Sequence, residues 1–327
     1  MLFRITIPQD AIANLVAFHD VGDFTSAQAI RAPGRLACWR VTTSRGSYLL
    51  RMVAQPTFWD MVHEKDLLLH LAERAGELGA LAIPRMVKNA AGGYFIPMGD
   101  AYVSIFPTLE GRELGVFEIT PDACAQVGEA LARFHLAARD FHGRKRHPAR
   151  PRVLRRLCAA VPLHRLELRE VAAVLHREQA FLRGARGRLT VGGTIHGGLG
   201  PDAARFRGGQ LCALTRFESA GRGALVQDLA ACLIAWGWDR TAFDPARCQA
   251  LVRSYARVRA LTDAERSTLH AQARLAAAQQ TATCILEHEL EGASDVPYQS
   301  YEHPFRRLQA LRALGRRAFR DLVGAAA

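Results

Sequence analysis

TIHGGLGPDAARF, residues 194–206, stands just ahead of LCALTRFESA, residues 211–220, and this pair of segments decides how the chain is read. Residues 191–196, 204–207 and 211–217 are strand-like pieces. Between the first two lie glycines at 197, 198 and 200 and the pair Pro201–Asp202, a turn composition. The titratable side chains gathered here include His196, Asp202, Arg216 and Glu218.

Upstream, residues 11–18 read as a short amphipathic helix, and residues 24–53 read as strands. RLACWRVTT and GSYLLRMV are rich in β-branched, aromatic and aliphatic residues, and SRG between them suits a hairpin turn. Residues 60–76 carry apolar side chains at helical spacing, and 85–107 read as further strands around a turn at NAAGG. Beyond Phe106 helices dominate. One spans 120–141, with a Thr cap and a Pro in its first turn. Others are expected at 162–185, 223–237, 244–259, 263–288 and 304–323. The fold class expected is α+β and bilobal: a β-rich N-terminal lobe (1–103), a hinge (104–107) and a helical C-terminal lobe (108–327).

In a chain of 327 residues, 49% hydrophobic, a sizeable core is available. Its longest apolar run, LAACLIAWGW at 229–238, falls short of the roughly 18 residues of a membrane span. The N-terminus lacks a secretory pattern, and the seven cysteines form no CxxC, so a reduced, cytoplasmic protein is expected. The formal charge is +12, and lysine appears only at 65, 88 and 145. Such a field attracts anions. The basic stretch 143–156 reads as a solvated linker, and the C-terminal helix as a packed helix with a basic outer face. Nucleic acid is not an expected partner, since no aromatic platform or module accompanies the charge.

With HGGLGPDA followed by a strand ending in TRFES, the layout resembles the protein-kinase-like fold. More narrowly, it resembles the aminoglycoside phosphotransferase and choline kinase superfamily, nearest the bacterial homoserine kinase branch. GEALARFHLAARDF at 128–141, QDLAACLIAW at 227–236 and FDPARCQALVRSYARVRALTDAER at 243–266 extend the likeness in the right order. In that superfamily the loop usually reads HADLFPDN. Its first Asp orients or deprotonates the substrate hydroxyl, its Asn holds magnesium, and the Asp of a later Ile-Asp-Phe holds the metal bridging the nucleotide phosphates.

Carried over residue by residue, the resemblance implies a degenerate site. His196 keeps the His position, whose expected role is to brace backbone. Gly198 stands at the catalytic Asp, Ala203 at the Asn and Arg216 at the metal-binding Asp. Gly198 cannot move a proton, Ala203 offers no oxygen, and Arg216 reverses the charge. Asp202 and Glu218 are the carboxylates able to substitute. Asp228 is expected to tie helix to loop by hydrogen bonds. In the N-terminal lobe the turn within 29–39 has only Gly34, flanked by bulky Arg31 and Arg35. Arg51 lies where relatives place a phosphate-reaching base, with Glu64 as partner or, alternatively, as half of a weak surface pair. Ser104, Ile105 and Phe106 would line the adenine side of a nucleotide cleft.

Three function classes follow. In the first, the chain is a pseudokinase that binds a partner protein or small anionic ligand, with no resident cofactor and with Arg216 replacing magnesium or pairing with Asp202 or Glu218. In the second, it is an active kinase that uses ATP, magnesium and the relocated carboxylates to phosphorylate an alcohol group. The third, nucleic-acid or membrane-surface binding, rests on the net charge, the basic stretch 143–156 and the amphipathic spacing of the C-terminal helix HPFRRLQALRALGRRAFRDLV.

Overall fold

The computed structural model describes residues 7–30, 36–143, 145, 158–159, 168–184, 191–286 and 300–324. The turn glycine Gly34, with Arg31 and Arg35, lies outside them, as does the basic stretch apart from Gly143 and Lys145.

Helix α1 (Gln9–Ala17) precedes a sheet of β1 (Phe24–Ile30), β2 (Leu36–Thr43) and β3 (Gly46–Ala54). Helix α2 (Phe58–Glu73) and the single turn α3 (Ala75–Leu78) follow, then β4 (Ile96–Met98) and β5 (Ala101–Pro107). The five strands pair antiparallel in the order β1-β2-β3-β5-β4. The expected SRG hairpin is present, with Thr43 opposite Gly46. Gly46 sits at φ 141°, which a side chain adopts only at a cost.

Alternation gives this sheet two different faces. Trp39, Val41, Leu50, Met52, Val103 and Ile105 point outward into a core closed by Ile12 and Val16 of α1. Cys38, Arg51 and Ser104 form a cross-strand row on the other face. Phe106 belongs to that inner face and packs into the larger core, with Leu67, Leu68 and Leu71 of α2. Thr57 starts α2 with a reciprocal cap: its hydroxyl accepts from the Asp60 N–H at 3.1 Å, and Asp60 accepts from the Thr57 N–H at 2.9 Å.

The hinge expected at 104–107 is the second half of β5, where Arg51 pairs with Ser104 and Tyr48 with Pro107. The chain leaves the sheet only after Pro107. Its apolar residues made the segment look like a connector, but their alternation is that of a strand buried on both faces.

Helix α4 (Pro121–Ala137) starts at the expected Thr120 cap. Helix α5 (Arg169–Gly184) is the described part of the helix expected at 162–185. Strands β6 (Gly192–Ile195), β7 (Ala204–Arg207), β8 (Gln210–Leu214) and β9 (Gly221–Ala224) form two short ladders, β6 with β9 and β7 with β8. β9 was not anticipated, since GRGA has no strand signal of its own. Five helices complete the chain: α6 (Leu225–Trp236), α7 (Pro245–Val258), α8 (Asp263–Cys284), α9 (Glu302–Ala313) and α10 (Arg316–Val323). The continuous helix expected at 304–323 is therefore two. Leu314 leaves helical geometry with ψ 118°, and extended Gly315 caps α10.

Helix α4 packs on α7 so closely that a Cβ at Gly128 would lie 2.2 Å from the Leu251 carbonyl oxygen. Glu178 of α5, 1% exposed, accepts from Arg274 of α8 at 2.9 and 2.7 Å and lies 2.9 Å from Arg312 of α9. One carboxylate thus joins three helices around the core. No helix among the described residues is long and apolar enough to cross a membrane.

Candidate functional site

The loop after β6 is held from beneath by Asp228 in the first turn of α6. One carboxylate oxygen accepts the His196 N–H at 2.7 Å, and the other accepts the Gly197 N–H at 2.9 Å. Nε2 of His135 donates to the same carboxylate at 3.0 Å, which leaves Nδ1 to accept the Tyr255 hydroxyl at 2.7 Å. Arg259 donates to that hydroxyl at 3.1 Å and to Glu265 at 2.8 Å. Burial favours the neutral acid at Asp228, but these donors outweigh it and hold the pKa below the usual carboxylate range. The His196 ring donates from Nε2 to the Thr215 carbonyl at 2.8 Å and lies 4.9 Å from the Phe217 ring. Burial lowers its pKa. The bracing role expected of His196, and the tie expected of Asp228, are both present.

Above the loop runs a chain of alternating charge. Arg51 of β3 donates to both oxygens of Glu64 of α2 at 2.7 Å and to Glu218 at 3.3 Å, and its guanidinium lies 4.8 Å from the Phe106 ring centroid. Glu218 also meets Nε of Arg216 at 3.3 Å, and Nη1 of Arg216 pairs with Asp202. The order is Glu64, Arg51, Glu218, Arg216, Asp202. It begins in the sheet lobe and ends in the loop below. The Arg51–Glu64 pair is no surface pair, because both side chains are buried and the contact is bidentate. Breaking such a pair from one side costs about 3–5 kcal/mol. Burial tends to raise the Glu218 pKa, yet the charges of Arg51 and then Arg216 pull it below its ordinary value.

Lys145 joins this group unannounced. Its ammonium donates to the Glu218 carbonyl at 2.5 Å and lies 3.7 Å from Asp60. Sequence placed Lys145 in a solvated linker, but its side chain is only 18% exposed. Its isolation as one of three lysines in a chain with 43 basic residues was the only available signal.

The remaining expected positions divide. Gly198 is exposed, and a Cβ there would meet nothing within 4 Å. Ala203 is fully buried. Ser104 and Phe106 face the cleft side of the sheet, whereas Ile105 faces the α1 core and cannot present its side chain to a cleft ligand. Its carbonyl already accepts from the Val87 N–H at 2.8 Å. Two buried polar atoms on the inner face, Nε of Arg51 and Oγ of its cross-strand neighbour Ser104, have no hydrogen-bond partner among the described residues.

The donor set does not fit a family-type magnesium ion. Two of its three positions offer no side-chain oxygen, the third is a guanidinium, and Asp202 and Glu218 are engaged by that guanidinium. Among the described residues no group of three or more His, Cys, Asp or Glu side chains is placed to hold a metal.

A five-stranded lobe, a helical lobe and an Asp-braced His loop beneath an ion-paired cleft define a bilobal, kinase-like phosphotransferase fold. The chain belongs to the phosphotransferase enzyme family, matching it over residues 9–261. It is 31% identical over 281 residues to a homoserine kinase of Rhodopseudomonas palustris (strain BisB18), covering 83% of this chain and 82% of that protein. Among solved structures, an amicoumacin kinase in complex with AMP-PNP, Ca2+ and Ami superposes with a TM-score of 0.75 at 13% identity, covering 95% of each chain. A microcompartment-associated aminopropanol kinase superposes with a TM-score of 0.70 at 18% identity, covering 97% of this chain and 99% of that one. These two likenesses concern the fold alone.

Proposed function

We propose that this chain is a homoserine-kinase-like scaffold that has given up its relatives' metal-dependent phosphoryl transfer. It acts in the cytoplasm by binding a small anionic ligand or a partner protein at the cleft between residues 1–103 and 108–327. The observation that carries this reading is Arg216, at the position implied for the metal carboxylate, with its guanidinium engaged by Asp202 and Glu218. Phosphoryl transfer depends on positioned charge around the phosphates. Gly198 and Ala203 supply none of it. The net charge of +12 favours an anionic ligand. Isothermal titration with ATP, with and without magnesium, is the test. Binding that is absent or indifferent to magnesium is expected, and tight magnesium-dependent binding overturns the reading.

A second reading has the comparisons on its side, and they support it more directly than the first. The curated relative is a homoserine kinase, and the shared length is 83% of this chain. On this reading the chain is an active, ATP-dependent small-molecule kinase acting on a hydroxyl group, with Asp202 and Glu218 as relocated carboxylates. A coupled assay with ATP, magnesium and homoserine or other amino alcohols decides. Turnover abolished by Asp202→Ala and Glu218→Ala establishes this reading, and turnover surviving both variants removes its mechanism.

A further inference from the structure

Arg216 is one of three described non-glycine residues at positive φ, with φ 66° and ψ 44°. That left-handed geometry is strained for a residue with a side chain. It falls at the turn between β8 and the 3-10 turn Phe217–Ser219, where the side chain reaches two carboxylates separated by 16 residues. Glu218 in turn reaches Arg51 in the sheet lobe, whose other partner is Glu64 of α2. Lys145 donates to the Glu218 backbone carbonyl. The bridge therefore lies within the helical lobe, and Glu218 links it to Arg51 of the sheet lobe.

We propose that Arg216 is a tethered internal cation that fills the seat between Asp202 and Glu218 in place of a divalent ion, so that Glu218 is held in reach of Arg51 without metal. The proposal rests on the metal-free reading of the cleft. It adds that Asp202 and Glu218 form a cation seat which the protein fills for itself. One guanidinium satisfies two carboxylates from a single planar fork. Removing it leaves like charges facing one another with one cation too few. The seat then has affinity for a hard divalent ion, which takes carboxylate oxygens.

Thermal unfolding in the absence of nucleotide or substrate tests this on the full chain. Manganese chloride is titrated against sodium chloride at matched ionic strength, for the wild-type protein, Arg216→Ala, Arg216→Met and the double variant D202N/R216A. The wild-type midpoint is expected to ignore manganese. Both single variants should melt lower and regain about 2 °C at roughly 10 mM manganese, the shift for a site of millimolar affinity in a chain of this size. The double variant should lose that response. Single variants no more responsive than wild type overturn the proposal, as does a double variant that responds equally. If a single variant does not fold, its refolding yield with and without manganese is the readout, and equal yields overturn the proposal. Turnover by the wild-type protein would sink the scaffold reading above without changing these melting curves, so the two failures are distinguishable.

Discussion

Asp228 accepts the backbone N–H of His196 at 2.7 Å from the first turn of α6, so the loop is anchored from beneath by a buried carboxylate. This anchoring is also the cheapest part of the site to test. Asp228→Ala removes the acceptor of the buried His196 N–H and of His135 Nε2. The expected loss is about 3–5 kcal/mol in urea unfolding. Asp228→Asn keeps an acceptor oxygen and should lose less. A loss under about 1 kcal/mol for the alanine variant would show that water replaces the carboxylate and that the loop is not held as described.

Gly128 governs how α4 meets α7. A methyl group there points at the Leu251 carbonyl at 2.2 Å, and backbone cannot turn aside as a flexible side chain does. Gly128→Ala should therefore destabilise by about 1–3 kcal/mol or more through overpacking, despite the better helix propensity of alanine. An unchanged midpoint would mean that the helices sit further apart.

Gly198 is the opposite case. It has ordinary backbone geometry, and no atom lies within 4 Å of a built Cβ. Gly198→Asp should leave stability within about 0.5 kcal/mol, the usual range for surface changes. The same variant combined with Arg216→Asp is expected to gain magnesium-dependent ATP binding by calorimetry. Failure of the double variant to bind would show that the cleft differs from its relatives by more than these side chains.

Acid should weaken the fold from about pH 6.5 downward. Burial, and next the charge of Lys145, hold His63 down at about 4, while Asp60 and Asp66 oppose this; Phe141 packs on its ring. Burial likewise lowers His19, His196 and His270. Between pH 6.5 and 4 the unfolded chain binds more protons at His63 than the folded one, so stability is full above 6.5 and falls toward 4. Glu218, Asp228 and Asp60, whose folded pKa values lie below their unfolded ones, add losses as pH falls further. Urea midpoints at pH 7.5, 6.0 and 5.0 should decline, with a shallower slope for His63→Gln. An equal slope in that variant would place the sensitivity elsewhere.

Local chemistry made much of the fold legible. Thr120 before Pro121 marks a helix start because its hydroxyl completes a bare N–H, and the chain obeys. The β2–β3 hairpin follows from two alternating runs with a turn between them. The readings of Gly198, Ala203 and Arg216 rested only on the order of residues along two segments. Signals that depend on neighbours were not legible. Residues 104–107 read as a hinge because composition does not reveal which backbone they pair with. GRGA at 221–224 is a strand only because β6 lies beside it.

The sequence by itself determined the Thr120 start of α4, the β2–β3 hairpin and the family to which the loop belongs, because each depends on residues a few positions apart. Only the tertiary structure decided that Arg51 is buried between Glu64 and Glu218, that Ile105 faces away from the cleft, and that Lys145 reaches Glu218 across 73 positions of chain. Charge pairing acts over a few ångströms of space, and the folded core, not the spacing along the chain, sets which charges come that close.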